Sequence, residues 1–377
     1  MKISVLRERR SGETRVAATP ETVKKLVASG HSVTIESDAG KTAGFLDSAY
    51  EEAGASIAKD AAATVQGADI VFKVRGPEEG EIAALPDGGA ALIALMEPFA
   101  MDPKVIAGLN AKKIAALSME FTPRITRAQS MDALSSQSNL AGYRAVIEGA
   151  QIFGRAMPMM MTAAGTVAPA KTFIMGAGVA GLQAIATARR LGGVVTATDV
   201  RPAAKEQVDS LGAKFIAVED DEFKAAETAG GYAKQMSPEY QAKQAELTAS
   251  HIAKQDIVVT TALIPGRPAP VLITEEMVKS MKPGSVIVDM AVAQGGNCPL
   301  SKPDEIVDVG GVKVAGFSNL PARLPADSSS LYSKNLLAFL PLVTAEDGSL
   351  NLDTDDEVVV AMLLTRGGET VNERIQS

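Results

Sequence analysis

The sequence of 377 residues has one cysteine, two histidines and no tryptophan. The single cysteine, Cys298, excludes an intrachain disulfide framework and fits a reducing compartment. A dehydrogenase that moves a proton usually does so with a histidine or a lysine paired to an acid. Only His31 and His251 are available, and a structural or surface role is the simpler interpretation of both. Catalysis centred on a histidine is therefore not indicated.

Long apolar runs and basic clusters are also scarce. No stretch approaches the roughly 18 uninterrupted apolar residues of a membrane-spanning helix, and the segment after Met1 becomes charged too early for a signal peptide. The net charge is −8, and basic residues cluster only at 7–10. We therefore expect neither a nucleic-acid partner nor direct insertion into a membrane.

Short apolar segments alternate with helical patterns along the chain. In the first third, strands are predicted at residues 2–6, 32–35, 69–74, 90–95 and 113–117, with a helix from the Thr19 cap to Gly30. In the middle of the chain, further strands are predicted before Gly176 and at residues 194–197, 214–218, 256–260, 286–289 and 313–316, enough for a six-stranded doubly wound sheet. Long helices are predicted at residues 138–155 and 328–339.

This alternation predicts the fold class and the domain organisation. Strands that alternate with helices indicate parallel sheets covered on both faces. We predict an α/β fold with two Rossmann-like domains, joined by two long helices around a cleft. The first domain comprises residues 1–134 and is completed by 325–377, and the second comprises residues 135–324. An echo between residues 69–72 and 256–259 suggests shared architecture, although chance similarity is the alternative.

Three segments have less definite predictions. The methionine-rich stretch 157–161 is predicted to pack in a core, because methionine fills irregular gaps. Residues 219–255 form a polar excursion, in which the glycine pair before Tyr232 is interpreted either as a lid or as an exposed loop, and the rest as a solvated helix. Residues 358–364 are predicted to form a strand or a helix.

A glycine-rich turn in the middle of the chain predicts dinucleotide binding. An apolar strand leads into Gly176, Gly178 and Gly181, an alanine-rich helix follows, and Asp199 ends the next strand, 18 positions beyond the third glycine. Gly176 permits the turn, Gly178 lets a pyrophosphate approach, and Gly181 allows the helix to pack on the strand. The start of the helix offers free N–H groups to the anion.

Asp199 also indicates which dinucleotide binds. Its carboxylate can accept both ribose hydroxyls of NAD, whereas the 2′-phosphate of NADP would be repelled. Arg201, two residues later, argues in the opposite direction. NAD is the favoured cofactor.

The polar stretch that accompanies the glycine turn suggests a hydride-transfer reaction. Hydride exchange between two nicotinamide rings requires no proton transfer, only two stacked rings in a site that excludes water. The densest polar stretch, residues 123–139, lies at the predicted domain boundary and offers groups that can fix a carboxamide and a ribose. Helix capping by Ser135, Ser136 or Ser138 explains the same stretch equally well.

Several motifs in the chain resemble those of one family, the NAD(H)-binding component of proton-translocating transhydrogenases. They are RITRAQSMD (124–132), LSSQSNLAGYR (134–144), MMMTAAGT (159–166), GAGVAGLQAIAT (176–187), AGGYAK (229–234), TALIPG (261–266) and GGNCPL (295–300). RERRSGETRVA (7–17) is similar to the wider alanine dehydrogenase family. The resemblance covers nearly the whole chain.

The resemblance implies roles for particular residues. Arg124, Asp132 and Ser135 would hold the nicotinamide end of NAD(H), and Gln129 would reach the second nucleotide, NADP(H), on a partner domain. Tyr232 would lie on a mobile loop that closes over the site. The expected cofactor contacts are Gly176, Gly178, Val179, Ala180, Gly181, Asp199, Val200, Arg201, Tyr232, Thr261, Ala262 and Leu263. No metal ligands are expected.

The resemblance also implies partners. Such proteins form homodimers and dock an NADP(H)-binding domain III, so the expected location is cytoplasmic, peripheral to the inner membrane through partner subunits. The absence of membrane helices after Ser377 leads us to expect the proton channel on a separate polypeptide.

Departures from alanine dehydrogenase weigh against that activity. Its catalytic histidine follows the strand that matches residues 91–95, where this chain has Met96 and Glu97, and its catalytic aspartate corresponds to Ala293. Arg15 and Lys73 are retained, but without those partners. The alternatives are an alanine dehydrogenase-like amino-acid oxidoreductase and a non-catalytic NAD-binding protein.

Overall fold

A computed structural model describes residues 1–225, 236–352 and 355–376 of the chain. Its strands are β1 (Lys2–Val5), β2 (Ser32–Glu36), β3 (Ser56–Ala58), β4 (Ile70–Arg75), β5 (Ala91–Leu95), β6 (Ala115–Ser118), β7 (Met160–Thr162), β8 (Gly165–Val167), β9 (Lys171–Met175), β10 (Val194–Thr198), β11 (Lys214–Phe215), β12 (Ile257–Thr260), β13 (Val286–Asp289), β14 (Glu305–Val309), β15 (Val312–Gly316), β16 (Leu363–Arg366) and β17 (Glu369–Thr370). Its α-helices are α1 (Pro20–Ala28), α2 (Asp47–Glu52), α3 (Ala61–Val65), α4 (Pro103–Ala111), α5 (Ala133–Phe153), α6 (Val179–Arg190), α7 (Ala204–Ser210), α8 (Asp221–Lys224), α9 (Pro238–Ile252), α10 (Glu275–Ser280), α11 (Pro325–Phe339) and α12 (Glu357–Met362).

The chain folds into two compact units. Unit 1 comprises Met1–Gln137 and Pro321–Ser377, and unit 2 comprises Ser138–Leu320. Unit 1 is therefore built from two separate segments of the chain, whereas unit 2 is continuous. Helix α5 starts in unit 1 and continues into unit 2.

The sheet of unit 1 has the strand order β17-β16-β6-β5-β4-β1-β2-β3. The strands from β6 to β3 are parallel, and β5 is buried along its whole length, as expected for a strand covered by helices on both faces. Strands β16 and β17 extend the sheet in antiparallel orientation. The parallel α/β prediction is confirmed here, but it missed β3 and the antiparallel edge.

The sheet of unit 2 has the order β11-β10-β9-β12-β13-β15-β14. The first six strands are parallel and follow the arrangement of a doubly wound dinucleotide-binding fold. Residues of α5 and α6 pack in one apolar cluster of the unit and residues of α10 in a second, and α9 contributes Tyr240 to the first and Ile252 to the second. The predicted six strands are present, but a seventh, β14, pairs antiparallel at the edge and was not predicted because its residues are mostly exposed and mixed in polarity.

Several boundaries differ from the predictions. Helix α5 starts at Ala133, five residues before the predicted start. The predicted strand or helix at residues 358–364 is both in succession, since α12 ends at Met362 and β16 starts at Leu363. The solvated helix predicted in the excursion is α9, but its residues Tyr240 and Ile252 are buried in the apolar clusters of unit 2.

The prediction of core packing for the methionine cluster is wrong for most of it. Met157 is buried, but Met159, Met160 and Met161 are exposed. The last two belong to a hairpin, β7 paired with β8, whose strand residues are all exposed.

The echo between the two halves has a structural counterpart. In unit 1 a carboxylate oxygen of Asp69 accepts the backbone N–H of Lys2 at 2.7 Å, and the N–H of Asp69 donates to the Lys2 carbonyl at 2.9 Å. In unit 2 the carboxylate of Asp256 accepts the N–H of Lys171 at 2.8 Å, and the N–H of Asp256 donates to the Lys171 carbonyl at 2.8 Å. Each aspartate therefore ties the first strand of its βαβ array to the neighbouring parallel strand. The two units share this local design.

Candidate functional site

The glycine turn of unit 2 connects β9 to α6. Gly176 has φ +105°, a backbone conformation that only glycine adopts without strain. A Cβ at Gly181 would lie 1.8 Å from the Gly176 carbonyl oxygen, so the helix packs on the turn as closely as a backbone allows. A Cβ at Gly178 would meet no atom within 4 Å. The first turn of α6, with Val179 exposed, therefore has open space beside Gly178, as the predicted approach of a pyrophosphate requires.

Asp199 at the end of β10 is bound to this turn. Its Oδ2 accepts the backbone N–H of Ala177 at 2.7 Å, and its Oδ1 accepts the N–H and the Nε of Arg201, both at 2.9 Å. This hydrogen bond with Asp199 raises the pKa of the Arg201 guanidinium. The carboxylate predicted for the ribose is thus oriented by both neighbours, and Val200 between them is exposed.

The segment after β12 forms the third side of the turn. The Thr261 hydroxyl donates to the Gly176 carbonyl at 3.2 Å, and the Thr261 N–H donates to the Met175 carbonyl at 2.9 Å. Ala262 follows half-buried, and Leu263 is exposed. Thr261 and Ala262 are therefore fixed beside the glycine turn, while Leu263 presents an apolar surface to solvent.

Asn297 holds this segment in place and was not predicted as a site residue. Its buried amide accepts the N–H of Ala262 at 3.1 Å and donates to the carbonyls of Ala262 at 2.9 Å and Pro270 at 2.8 Å. The only sequence signal was its position in the glycine-rich GGNCPL motif. Nothing in that motif indicates contacts with residues 27 and 35 positions away.

The polar stretch of unit 1 forms a 3-10 helix, Thr126–Met131, followed at once by α5. Arg127 is anchored by Asp356, with the two guanidinium nitrogens at 2.9 and 3.0 Å from the carboxylate oxygens, and this hydrogen bonding lowers the pKa of Asp356. Arg124 and Gln129 are exposed, and their side chains make no hydrogen bond with any residue that the structure describes. The stretch is thus anchored through Arg127, and it presents the side chains of Arg124 and Gln129 to solvent.

Asp132 and Ser135 form the start of α5. One Asp132 oxygen accepts the backbone N–H of Ser135 at 2.8 Å, and the other accepts the Ser135 hydroxyl at 2.5 Å. Asp132 is therefore the helix cap, and the alternative of a serine cap at position 135, 136 or 138 is wrong. Asp132 remains half-buried while it caps the helix, so it can both stabilise α5 and contact a ligand.

The two retained basic residues of unit 1 are buried in ion pairs. The Lys73 Nζ lies 2.8 Å from Glu81 and 3.5 Å from Glu8, and burial raises the pKa of Glu8. Arg15 donates two hydrogen bonds of 2.7 Å to Glu13 and a third of 2.7 Å to Gln137. These cations are committed to protein carboxylates.

The predicted residues thus fall into two groups, one in each unit. In unit 2 the glycine turn meets Asp199, Arg201, Thr261 and Ala262 through direct contacts, and Val200 and Leu263 flank them. In unit 1 Asp132 and Ser135 contact each other, and Arg124 and Gln129 lie in the same stretch. Tyr232 and its loop lie outside the described residues.

We also searched the described residues for a metal site and for a membrane-spanning helix. Across residues 1–225, 236–352 and 355–376, no group of three or more histidine, cysteine, aspartate or glutamate side chains is placed to hold a metal ion. In the same ranges no helix has the length and apolar character needed to cross a membrane.

Comparison with known proteins assigns the family. Residues 4–141 match "Alanine dehydrogenase/PNT, N-terminal domain", and residues 145–373 match "Alanine dehydrogenase/PNT, C-terminal domain". The chain is 57% identical over 378 residues to an NAD(P) transhydrogenase subunit alpha polypeptide of Rhodospirillum rubrum, covering 99% of this chain and 98% of that protein. The chain belongs to the NAD(P) transhydrogenase alpha-subunit family.

Structural similarity agrees with membership of the transhydrogenase family. The crystal structure of transhydrogenase from Sinorhizobium meliloti is 52% identical, has a TM-score of 0.90, and covers 98% of this chain and 100% of its own. Alanine dehydrogenase is a more distant relative. The Bacillus subtilis enzyme is 30% identical over 386 residues, covering 100% of this chain and 94% of that protein. The predicted resemblance and the α/β fold are therefore confirmed.

Proposed function

We propose that this chain is the NAD(H)-binding component of a proton-translocating transhydrogenase. It exchanges a hydride directly between its own NAD(H) and NADP(H) held by a partner domain. The observation that carries the proposal is the polar stretch of unit 1: Arg124 and Gln129 are exposed near the half-buried Asp132, which caps α5, on a chain that also has a dinucleotide turn. Family membership supports the same function.

The reaction balances without a proton donor. A hydride, one proton with two electrons, leaves the reduced nicotinamide and joins the oxidised one, so one ring is oxidised as the other is reduced. Catalysis then consists of orientation and exclusion of water, which are worth several orders of magnitude in rate. In this proposal Arg124, Asp132 and Ser135 orient the nicotinamide end of NAD(H), and Gln129 contacts the partner's nucleotide.

Asp199 supports NAD(H) as the cofactor. Its carboxylate is held at the glycine turn by Ala177 and Arg201, so a ribose hydroxyl gains an acceptor there and a 2′-phosphate meets negative charge. Arg201 is bound to Asp199 through its Nε at 2.9 Å and one terminal nitrogen at 3.1 Å, which reduces its capacity to attract a phosphate.

The alternative amino-acid oxidoreductase would require Arg15 and Lys73 to bind substrate. Both are buried and paired with Glu13, Glu8 or Glu81. A 2-oxo acid would have to displace a protein carboxylate from either cation. This arrangement favours a structural role for both.

We also propose that the chain is a homodimer, attached to a membrane subunit of the same complex through its partners. The exposed β7–β8 hairpin supports a contact between chains. It carries Met160, Met161 and Val167 into solvent on two short strands, and exposed apolar strand edges favour pairing.

A reconstituted assay tests the proposed function. The purified chain is mixed with a recombinant NADP(H)-binding domain, and reduction of an NAD analogue by NADPH is followed through its shifted absorption band. We expect rapid transfer that requires both proteins. No transfer in the mixture, with both nucleotides shown to be bound, would refute direct hydride exchange. NAD reduction by the chain alone with alanine would instead support the oxidoreductase.

A further inference from the structure

Asn335 lies on α11 and contacts the polar stretch of unit 1 at two points. Its side-chain Nδ2 donates to the Ser130 carbonyl at 2.8 Å, and its Oδ1 accepts the Ser136 hydroxyl at 2.7 Å. The side chain is 7% exposed. One buried amide therefore joins the end of the 3-10 helix to the first turn of α5.

The two bonds lie on either side of Asp132 in the sequence. Ser130 precedes it by two residues and Ser136 follows it by four, so the backbone that carries Asp132 is held from both directions. The plane of an amide is rigid, and both of its ends are engaged. The position of the Asp132 carboxylate is thereby fixed relative to α11.

The other anchor of the stretch is different in kind. Arg127 pairs with Asp356 and Glu357 at the surface, where water and salt screen the attraction. Asn335 is buried, so water competes less for its two bonds, which join it to the exposed Ser130 and the half-buried Ser136. Asn335 is therefore the less solvent-exposed of the two anchors.

We infer that Asn335 is a positioning residue for hydride transfer, acting through Ser130 and Ser136 on the placement of Asp132. This inference rests on the proposed function. Asn335 touches no nucleotide in this scheme, and it sets the geometry of residues that do. Its loss should slow the transfer step and leave NADH binding by unit 2 largely intact.

The variants Asn335→Leu and Asn335→Asp test this. Leucine removes both bonds at nearly constant volume, whereas aspartate keeps the acceptor for Ser136 and loses the donor to Ser130. We expect a roughly ten- to a hundredfold slower transfer at saturating NADH in the reconstituted assay, with the Kd for NADH changed less than about threefold. Ser136→Ala should fall between these variants and the wild type.

Asn372→Leu is the matched control. Asn372 is also a buried amide of unit 1, with bonds to the Ala361 and Leu363 carbonyls at 3.1 and 2.9 Å, but it does not contact the polar stretch. It should lower the Tm by an amount comparable to Asn335→Leu and leave the transfer rate within about twofold of the wild type. Equal slowing by the two leucine variants, or loss of NADH affinity in step with the rate, would overturn the inference.

Hydrogen exchange provides a readout that does not depend on the partner. Peptides covering residues 124–136 should exchange faster in Asn335→Leu and at the wild-type rate in Asn372→Leu. Unchanged exchange in this segment would refute the positioning role even if transfer were slow. Conversely, if the wild-type chain transfers no hydride, the proposed function fails, and faster exchange would support only the anchoring of the stretch by Asn335.

Discussion

The Asp132 carboxylate receives the backbone N–H and the hydroxyl of Ser135, so it stabilises α5 while part of it stays accessible. A helix cap needs an oxygen acceptor, whereas orientation of a nicotinamide can use the negative charge. Asparagine and aspartate are nearly equivalent caps. The two roles of Asp132 can therefore be separated by a change that keeps the oxygen and removes the charge.

We expect Asp132→Asn to slow hydride transfer by about tenfold or more, as removal of an oriented polar group does in other active sites, with a smaller effect on the Kd for NADH. The free energy of unfolding should change by less than about 0.5 kcal/mol, whereas Asp132→Ala should cost about 1 kcal/mol because the cap is lost. Denaturant unfolding and the reconstituted assay measure these separately. Equal losses of NADH affinity and transfer rate would show that Asp132 binds NADH but does not orient its nicotinamide ring for transfer.

Asp199 permits a test of cofactor choice. Asp199→Ala removes the ribose acceptor, and a hydrogen bond to a charged group contributes about 1.5–3 kcal/mol, so NADH should bind at least about tenfold more weakly. The ratio of NADPH affinity to NADH affinity should rise at the same time, because the repelling charge is gone and Arg201 is released. Fluorescence titration with both nucleotides measures this. A parallel loss for both would indicate damage to the glycine turn only.

How far the sequence predicts individual residues depends on the range of their contacts. Gly176, Gly181 and Asp199 follow from a local motif, since the turn and its acid lie within one βαβ unit. Asn297 and Asn335 bond to segments that are 35 and 205 residues away, and no local pattern indicates which chain segment a buried amide meets. Their roles became apparent only from the structure.

At the level of elements, α5 and α6 come into close contact in unit 2 at two residues with small side chains, Gly142 and Ala180. A Cβ at Gly142 would lie 2.0 Å from the Ala180 carbonyl oxygen and 2.8 Å from the carbonyl carbon. Both are backbone atoms, so only a shift of one helix could relieve the clash. Ala180 is in the first turn of α6, which is the predicted anion site.

Gly142→Ala should therefore displace the start of α6 and weaken NADH binding, by about tenfold or more if the shift approaches 1 Å. Gly149→Ala is the control on the same helix, because its Cβ would meet only the tips of the Ile257 and Val288 side chains at 3.1 and 3.3 Å. Calorimetric titration with NADH compares the two. Similar affinities for both variants would mean that α6 does not depend on this close approach.

Among the strands, those buried on both faces have the clearest signal in the sequence. Central strands such as β5 and β12 form continuous apolar runs, which stand out readily in the sequence. Edge strands such as β3 and β14 are half exposed and lack that signal. The start of α5 was missed because its cap is an aspartate inside a polar stretch, not one of the serines nearer the apolar pattern.

On the scale of the whole molecule, unit 1 has charged side chains buried in its interior. Lys73 is 1% exposed and faces Glu81 and Glu8. Removing one partner of a buried pair leaves an uncompensated charge, so Lys73→Met should lower the free energy of unfolding by about 3–5 kcal/mol. Lys25→Met, which breaks an exposed pair with Glu21, should have little effect. A similar stability for both variants would show that the Lys73 cluster is hydrated.

The loss in Lys73→Met should also depend on pH. Burial raises the pKa of Glu8 above its usual 4.5 in the folded protein, and the loss of Lys73 should raise that pKa further. A carboxyl with a higher pKa in the folded state binds its proton more tightly there, so the free energy of unfolding falls as the pH rises above 4.5. The variant should therefore be closer to the wild type at pH 5 than at pH 8 in denaturant titrations. A constant difference would exclude Glu8 as the origin.

The proposed dimer gives a further prediction. Met161→Glu places a charge on the hairpin residue that is 77% exposed, and it should convert a dimer into monomers at micromolar concentration. Leu46→Glu, at an apolar residue of unit 1 that is 61% exposed, should leave the molar mass unchanged. Light scattering after size-exclusion chromatography measures both. A dimer that persists in Met161→Glu would place the contact elsewhere.

The divided sequence of unit 1 has a consequence for synthesis on the ribosome. Residues 1–137 emerge first, but β16, which covers the edge of β6, and α11, which carries Asn335, come from the last segment of the chain. Unit 2 is complete in sequence before either is translated. During translation the edge of β6 therefore stays unpaired while unit 2 folds. We expect the need for chaperones to be greatest in this interval.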